Sequence, residues 1–150
     1  MPYDDLRKGR FSEAGRAYFV TTVVNERDNR YFGDFVCARL VIRNFKRLHD
    51  EQRVNSLAWV VMPDHVHWLF QLGVAATLSA VLKTFKARTA QDINAYLGVR
   101  GALWQKGFYD HALREEEDLK DIARYIVANP LRAGLVEKIG DYPHWDAMWL

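Results

Sequence analysis

The sequence predicts an α+β domain of ferredoxin-like, split-βαβ pattern, with a four-stranded antiparallel sheet, helices on one face and an extra C-terminal helix. Three observations predict it. Apolar residues switch between period two and helical period along the chain in the order βαββαβα. Pro63 separates two apolar-rich runs in the middle of the sequence, where a tight connection suits its ring and a central strand does not. Two amphipathic stretches flank that hairpin, as crossover helices do.

The elements follow in order. Ala17 to Val24 (AYFVTTVV) is rich in β-branched and aromatic residues and is bounded by Gly15 and by Asn25-Glu26-Arg27-Asp28-Asn29, a strand and then a loop. Asp34 suits an N-cap, and Cys37, Leu40, Val41, Phe45 and Leu48 then recur at helical spacing with basic residues between them. Ser56 to Met62 and Asp64 to Leu72 form the hairpin around Pro63. Leu78, Val81, Leu82, Phe85, Thr89, Ile93 and Leu97 trace a second helix over 77–97, closed by Gly98. Residues 102–112 read as extended, and Leu119, Ile122, Ala123 and Ile126 as a third helix that ends around Asn129-Pro130. The acidic block Glu115-Glu116-Glu117-Asp118 suits that helix's start, where the dipole welcomes negative charge. In the tail, Trp145 and Trp149 form an aromatic pair that packs back on the domain.

Composition narrows the class. With 150 residues and 49% hydrophobic content, one domain with a sizeable core is expected and disorder is excluded for most of the chain. The longest apolar stretch, Leu57 to Met62, falls far short of the roughly 20 residues a membrane-spanning helix needs, and the first residues lack a signal-peptide core. The expected location is cytoplasmic. A single cysteine, Cys37, excludes an internal disulfide and a Cys-based zinc site, so a metal must be held by His, carboxylate or amide groups. Net charge is only +2, but residues 1–100 carry 15 basic against 10 acidic groups while the remainder carries 6 against 9. The basic groups gather in Arg7, Lys8 and Arg10, in Arg39, Arg43, Lys46 and Arg47, and in Lys83, Lys86 and Arg88, a distribution that permits a phosphate-bearing partner.

Chemistry concentrates at three places. His65 and His67 in DHVHWLF leave the same face of a strand, roughly 7 Å apart, so their nitrogens can converge on one ion. Two histidines are part of a metal site; a further ligand and a nucleophile have to come from elsewhere. The third helix offers Tyr125 and Asn129, four apart on one face at the border between core and surface. In the extended stretch, Asp110 and His111 point to opposite faces, so at most one joins a site, and His111 is the candidate for supporting the metal ligands. Trp104, Lys106 and Phe108 alternate onto one face that could stack on and pair with a single strand, although core packing explains the aromatics equally well.

These pieces amount to a resemblance. Met62-Pro63-Asp64-His65-Val66-His67, then Trp104-Gln105 with Phe108, Asp110, His111 and Arg114, then Arg124-Tyr125-Ile126 with Asn129-Pro130-Leu131-Arg132-Ala133-Gly134-Leu135-Val136 resemble the REP-associated tyrosine transposases. That family lies within the single-tyrosine, HUH-type transposases of small bacterial insertion sequences. Leu6-Arg7-Lys8 and Tyr18-Phe19-Val20-Thr21 fit too, so almost the whole chain is covered.

The resemblance implies single-strand DNA cleavage and joining. Tyr125 would attack a phosphodiester and form a 5′-phosphotyrosine bond, leaving a 3′-hydroxyl. His65, His67 and Asn129 would hold Mg²⁺ or Mn²⁺, with Asn129 standing where relatives carry Gln. A phenol, with a pKa of about 10, needs such electrostatic help at neutral pH. The implied partner is a hairpin-forming palindrome handled as single-stranded DNA by a monomer or weak homodimer, with no membrane involved. Its contacts would fall to Arg7, Lys8, Arg10, Lys83, Lys86, Arg88, Trp104, Arg114 and Arg132. Two other readings stay open: a non-catalytic nucleic-acid binding module of the same fold, and a two-histidine metal phosphoesterase.

Overall fold

The structure, a computed structural model, describes residues 15–114 and 118–149. Five strands form one antiparallel sheet: β1 (Ala17–Val23), β2 (Val54–Val61), β3 (His65–Leu72), β4 (Tyr109–Ala112) and β5 (Trp145–Ala147), in the order β4-β1-β3-β2-β5. The helices are α1 (Phe35–Asp50), α2 (Leu78–Leu97), α3 (Leu119–Val127) and the short α4 (Asn129–Arg132). The predicted βαββαβα order is therefore present, with a fifth strand added.

Local chemistry sets the boundaries. The Asp34 carboxylate accepts from the backbone N–H groups of Val36 (2.8 Å) and Cys37 (3.2 Å), capping α1. Thr77 caps α2 through the Ala80 N–H, and Gly98 ends that helix at φ +69°, a left-handed conformation that glycine adopts without steric cost. The extended stretch is shorter than its composition suggests: only Tyr109–Ala112 forms a strand, and Trp104 makes one isolated bridge to Val24. The aromatic tail does pack back. Trp145–Ala147 pairs with Ala58–Val60 of β2, and the Trp145 indole N–H donates to the Ile139 carbonyl at 3.0 Å.

Strand alternation divides the side chains between two faces. Tyr18, Val20, Val66, Trp68 and Phe70 meet Phe45 of α1 and Phe85 of α2 in the larger core. Ala58, Val60 and Leu69 meet Ala123, Ile126 and Val127 of α3 in a smaller one on the opposite face. Helices α1 and α2 thus cover one side of the sheet and α3 covers part of the other. Cys37 is fully buried, and burial followed by the nearby Asp34 charge pushes its thiol up to about 11, so it is no nucleophile. Among the described residues no helix is long and apolar enough to cross a membrane.

Candidate active site

His65 and His67 stand on the face of β3 opposite the larger core, because Val66 and Trp68 between and beyond them take the buried side. Their rings lie 4.8 Å apart and nearly perpendicular. His65 Nδ1 donates to the Asp64 carboxylate at 2.7 Å, and Arg27 Nε donates to the other Asp64 oxygen at 2.9 Å. His67 Nδ1 is hydrogen-bonded to Thr21 Oγ1 at 2.7 Å, an arrangement set by the register that places Thr21 directly opposite His67. With both Nδ1 atoms engaged by the protein, Nε2 is the nitrogen each ring can offer to a ligand. Burial, the neighbouring His65 and the Arg132 charge push the His67 pKa down to about 3, so this imidazole is neutral at physiological pH. Burial pushes the Asp64 carboxyl up, but its hydrogen bonds from His65 and Arg27 outweigh that and hold it below the ordinary carboxylate range.

The tyrosine reaches the same face. Asp118 caps α3 by accepting from the Lys120 N–H at 2.8 Å, and the helix seats Ala123, Ile126 and Val127 on the sheet while Tyr125 stays 55% exposed. The Tyr125 ring lies 6.3 Å from that of Phe19, which in turn meets the His67 ring edge-on at 5.5 Å. Arg132 closes the group: its guanidinium carbon sits 4.0 Å above the Tyr125 ring, and its Nη2 donates to the Tyr125 carbonyl at 2.6 Å. Asn129, half-buried, opens α4 just beyond α3, with Pro130 in the first turn, where no backbone donor is needed. Among the described residues no three His, Cys, Asp or Glu side chains come together as a metal cluster. The donors the structure brings together on this face are the two imidazoles. Two oriented imidazoles, one held neutral, suit a divalent cation.

The other sequence-predicted residues divide. His111 lies opposite Phe19 in register, so it shares the histidine face, and Arg114 is exposed just past β4. Lys83, Lys86 and Arg88 do not join them. They belong to α2, on the far side of the sheet, where Arg88 pairs with Glu51 at 2.8 Å and the Lys86 ammonium donates to the carbonyls of Gln105 and Gly107. Trp104 is corrected outright: it is only 7% exposed, packed against Phe32 and Phe85, and its indole N–H donates to Thr89 at 2.8 Å, so it cannot stack on DNA. Arg7, Lys8, Arg10 and Glu115–Glu117 lie outside the described residues. Sequence reasoning passed over Thr21 and Phe19, whose parts depend on strand register, and the role of Asp64, whose place directly before the histidine pair was a readable signal.

The family profile described as "Transposase IS200 like" matches residues 15–129, a span that includes both histidines, Tyr125 and Asn129. A Haemophilus influenzae protein assigned as a REP-associated tyrosine transposase is 29% identical over 140 residues, covering 87% of this chain and 78% of that protein. The REP-associated tyrosine transposase of Escherichia coli is 26% identical over 135 residues, covering 89% of this chain and 76% of its own. Among solved structures, a REP-associated tyrosine transposase bound to a REP hairpin superposes with a TM-score of 0.74 at 22% identity, over 90% of this chain and 78% of that one, a likeness of fold. The chain belongs to the IS200-like transposase family and is similar over most of its length to the REP-associated tyrosine transposases.

Proposed function

We propose that this transposase cleaves and rejoins single-stranded DNA at hairpin-forming palindromes, with Tyr125 as the nucleophile and His65, His67 and Asn129 as the metal-holding residues. One observation carries the reading. A half-exposed tyrosine on the last long helix and two oriented imidazoles on a central strand meet, through Phe19, on one face of the sheet. Tyr125 attacks the phosphorus of a single-strand phosphodiester; the 3′-oxygen departs and the 5′ end stays on the tyrosine. Arg132, lying over the Tyr125 ring, presents positive charge to the phenolate and to the incoming phosphate. Asp64 and Thr21 hold the two histidines in place, and His111, two strands away on β4, stands beside Phe19 on the same face as a further supporting group. When bound, Mg²⁺ or Mn²⁺ supplies Lewis acidity to the phosphate oxygens. Arg114, together with Arg132, contributes charge toward the DNA backbone.

A denaturing gel of labelled single-stranded hairpin DNA tests this. Wild type with Mg²⁺ or Mn²⁺ is expected to give a covalent protein–DNA adduct, abolished in Tyr125→Phe and by a chelator. Cleavage that survives Tyr125→Phe but not chelation favours a metal phosphoesterase. Binding without cleavage by wild type or by Tyr125→Phe favours a non-catalytic module.

A further inference from the structure

Next to the histidine pair the sheet carries a concavity of about 250 Å³, lined by Thr21, Val23, Gln105, Lys106, Phe108 and Tyr109. Thr21 belongs to both sites: it forms part of this cavity, and its Oγ1 holds His67. The loop that walls the cavity is tied to the body of the domain. The Gln105 N–H donates to the Val23 carbonyl at 2.8 Å, and Lys86 reaches from α2 to hold the carbonyls of Gln105 and Gly107. Burial lowers the pKa of Lys86 from its ordinary value, because the ammonium gives up part of its hydration there. Tyr109, by contrast, is 67% exposed.

Register fixes where Tyr109 stands. Thr21 faces Tyr109 on one side and His67 on the other, so the three side chains form one row across β4, β1 and β3. Neighbours in such a row are about 5 Å apart, which puts Tyr109 roughly 10 Å from His67. That is the span from the phosphate of a nucleotide to its base. The order along β1 adds direction. Tyr125 lies against Phe19, His67 touches both Phe19 and Thr21, and the cavity begins at Thr21 and runs to Val23. In register Thr21 stands opposite His67 and Val23 opposite His65, so the cavity flanks the histidine pair along its length, while Tyr125 approaches at Phe19, before the pair begins.

In-line displacement at phosphorus requires the attacking and leaving oxygens on opposite sides. We propose that this cavity is the subsite for the nucleotide immediately 5′ of the cut, the one whose 3′-oxygen leaves as Tyr125 attacks. The inference rests on the reading of Tyr125 as nucleophile and extends it to the other half of the substrate. The Tyr125 oxygen–phosphorus bond forms as the phosphorus–O3′ bond breaks; the phenol proton passes to water and O3′ takes one up, giving a 3′-hydroxyl. Tyr109 stacks on the base, the Gln105 amide offers a donor and an acceptor to its edge, and Lys106 faces the backbone phosphate. A nucleotide kept there holds its 3′-hydroxyl beside the phosphotyrosine, ready for the reverse attack that rejoins the strand.

The test uses a pool of hairpin oligonucleotides with randomised unpaired flanks, incubated with the whole protein and Mn²⁺. The 3′-hydroxyl products are sequenced at their last nucleotide and the adduct is quantified. Wild type is expected to show a base preference at that last nucleotide. Gln105→Ala should flatten it while the preference at the first nucleotide of the adduct stands. Tyr109→Ala should lower cleavage about tenfold, through KM, as the loss of one stacked base does, and Tyr109→Phe should restore it. Binding of the 3′-hydroxyl product strand by Tyr125→Phe protein, followed by fluorescence anisotropy, should weaken when Tyr109→Ala is added. End preferences, KM and product affinity all unchanged in Gln105→Ala and Tyr109→Ala would overturn the subsite and leave the transposase reading standing. No adduct from wild type with any member of the pool would overturn the nucleophile assignment, and the subsite with it.

Discussion

Tyr18, Val20, Trp68 and Phe70 point to one side of the sheet; Phe19, Thr21, His67 and Leu69 point to the other, although all eight belong to the same two strands. The first side is sealed by α1 and α2. There Phe85 stacks on Phe45 at 5.0 Å and packs against Trp68 and Trp104, and all four rings are buried. The second side is covered by α3 around Ala58, Val60 and Leu69, which leaves the histidine pair and Thr21 half-buried and Tyr109 exposed. Alternation with period two has thus put most of the apolar burial on one set of residues and the candidate chemistry on the next residue along. Substitutions one position apart in sequence should then fail in different ways.

The largest effect is expected on the sealed side. Phe85→Ala empties the centre of the aromatic cluster and should cost about 3–5 kcal/mol of stability in urea unfolding, while the protein that remains folded cleaves DNA at the wild-type rate. His65→Ala, on the open side, should reverse the pattern. Cleavage is expected to fall about a thousandfold in the gel assay, with stability within about 1 kcal/mol of wild type. A His65→Ala protein that unfolds as readily as Phe85→Ala would show that the open face also supports the core.

Acid should expose the same division. In the fold His67 has its pKa lowered from 6.5 to about 3, so between these values the native chain leaves it neutral while the unfolded chain protonates it. The unfolded state binds more protons, and stability falls as pH drops through that window, by about 1.4 kcal/mol per unit at the steepest. His67→Gln should flatten the slope in metal-free urea titrations between pH 7 and 4. His144, buried and also lowered, adds a slope of the same sign in both proteins and cancels in the comparison. Equal slopes in the two proteins would mean that His67 is more hydrated than its surroundings suggest.

What was legible in the sequence is what depends on neighbours in sequence. Asp34 and Gly98 bound their helices as expected, Pro63 marks the hairpin, and the alternation that puts His65 and His67 on one face needs only β3 itself. What was not legible depends on partners far along the chain. Trp145–Ala147 is too short to read as a strand and forms one only because the edge of β2 is there to receive it. Helical periodicity tells which side of α2 is apolar but not which side of the sheet α2 covers, so the sequence offers Lys83, Lys86 and Arg88 to DNA although they lie across the sheet from Tyr125. Trp104 and Tyr109 look alike in composition. One is buried because Phe32 and Phe85 enclose it, and the other is exposed because α3 does not extend over it.

The subtlest separation lies within a single hydrogen bond. Thr21→Val keeps the branched shape that β1 favours and removes the oxygen bonded to His67 Nδ1. If that bond sets the ring's orientation, Mn²⁺ affinity measured by calorimetric titration should fall 10- to 100-fold, the usual effect of losing a partner behind a ligating histidine, with about 1 kcal/mol or so lost in stability for the unpaired nitrogen. Thr21→Ser should recover the affinity, since it restores the hydroxyl without the methyl. An unchanged affinity in Thr21→Val would instead assign the orientation of His67 to its edge-on contact with Phe19, and the ligating ring would then be held by packing, as the residues of the sealed face are.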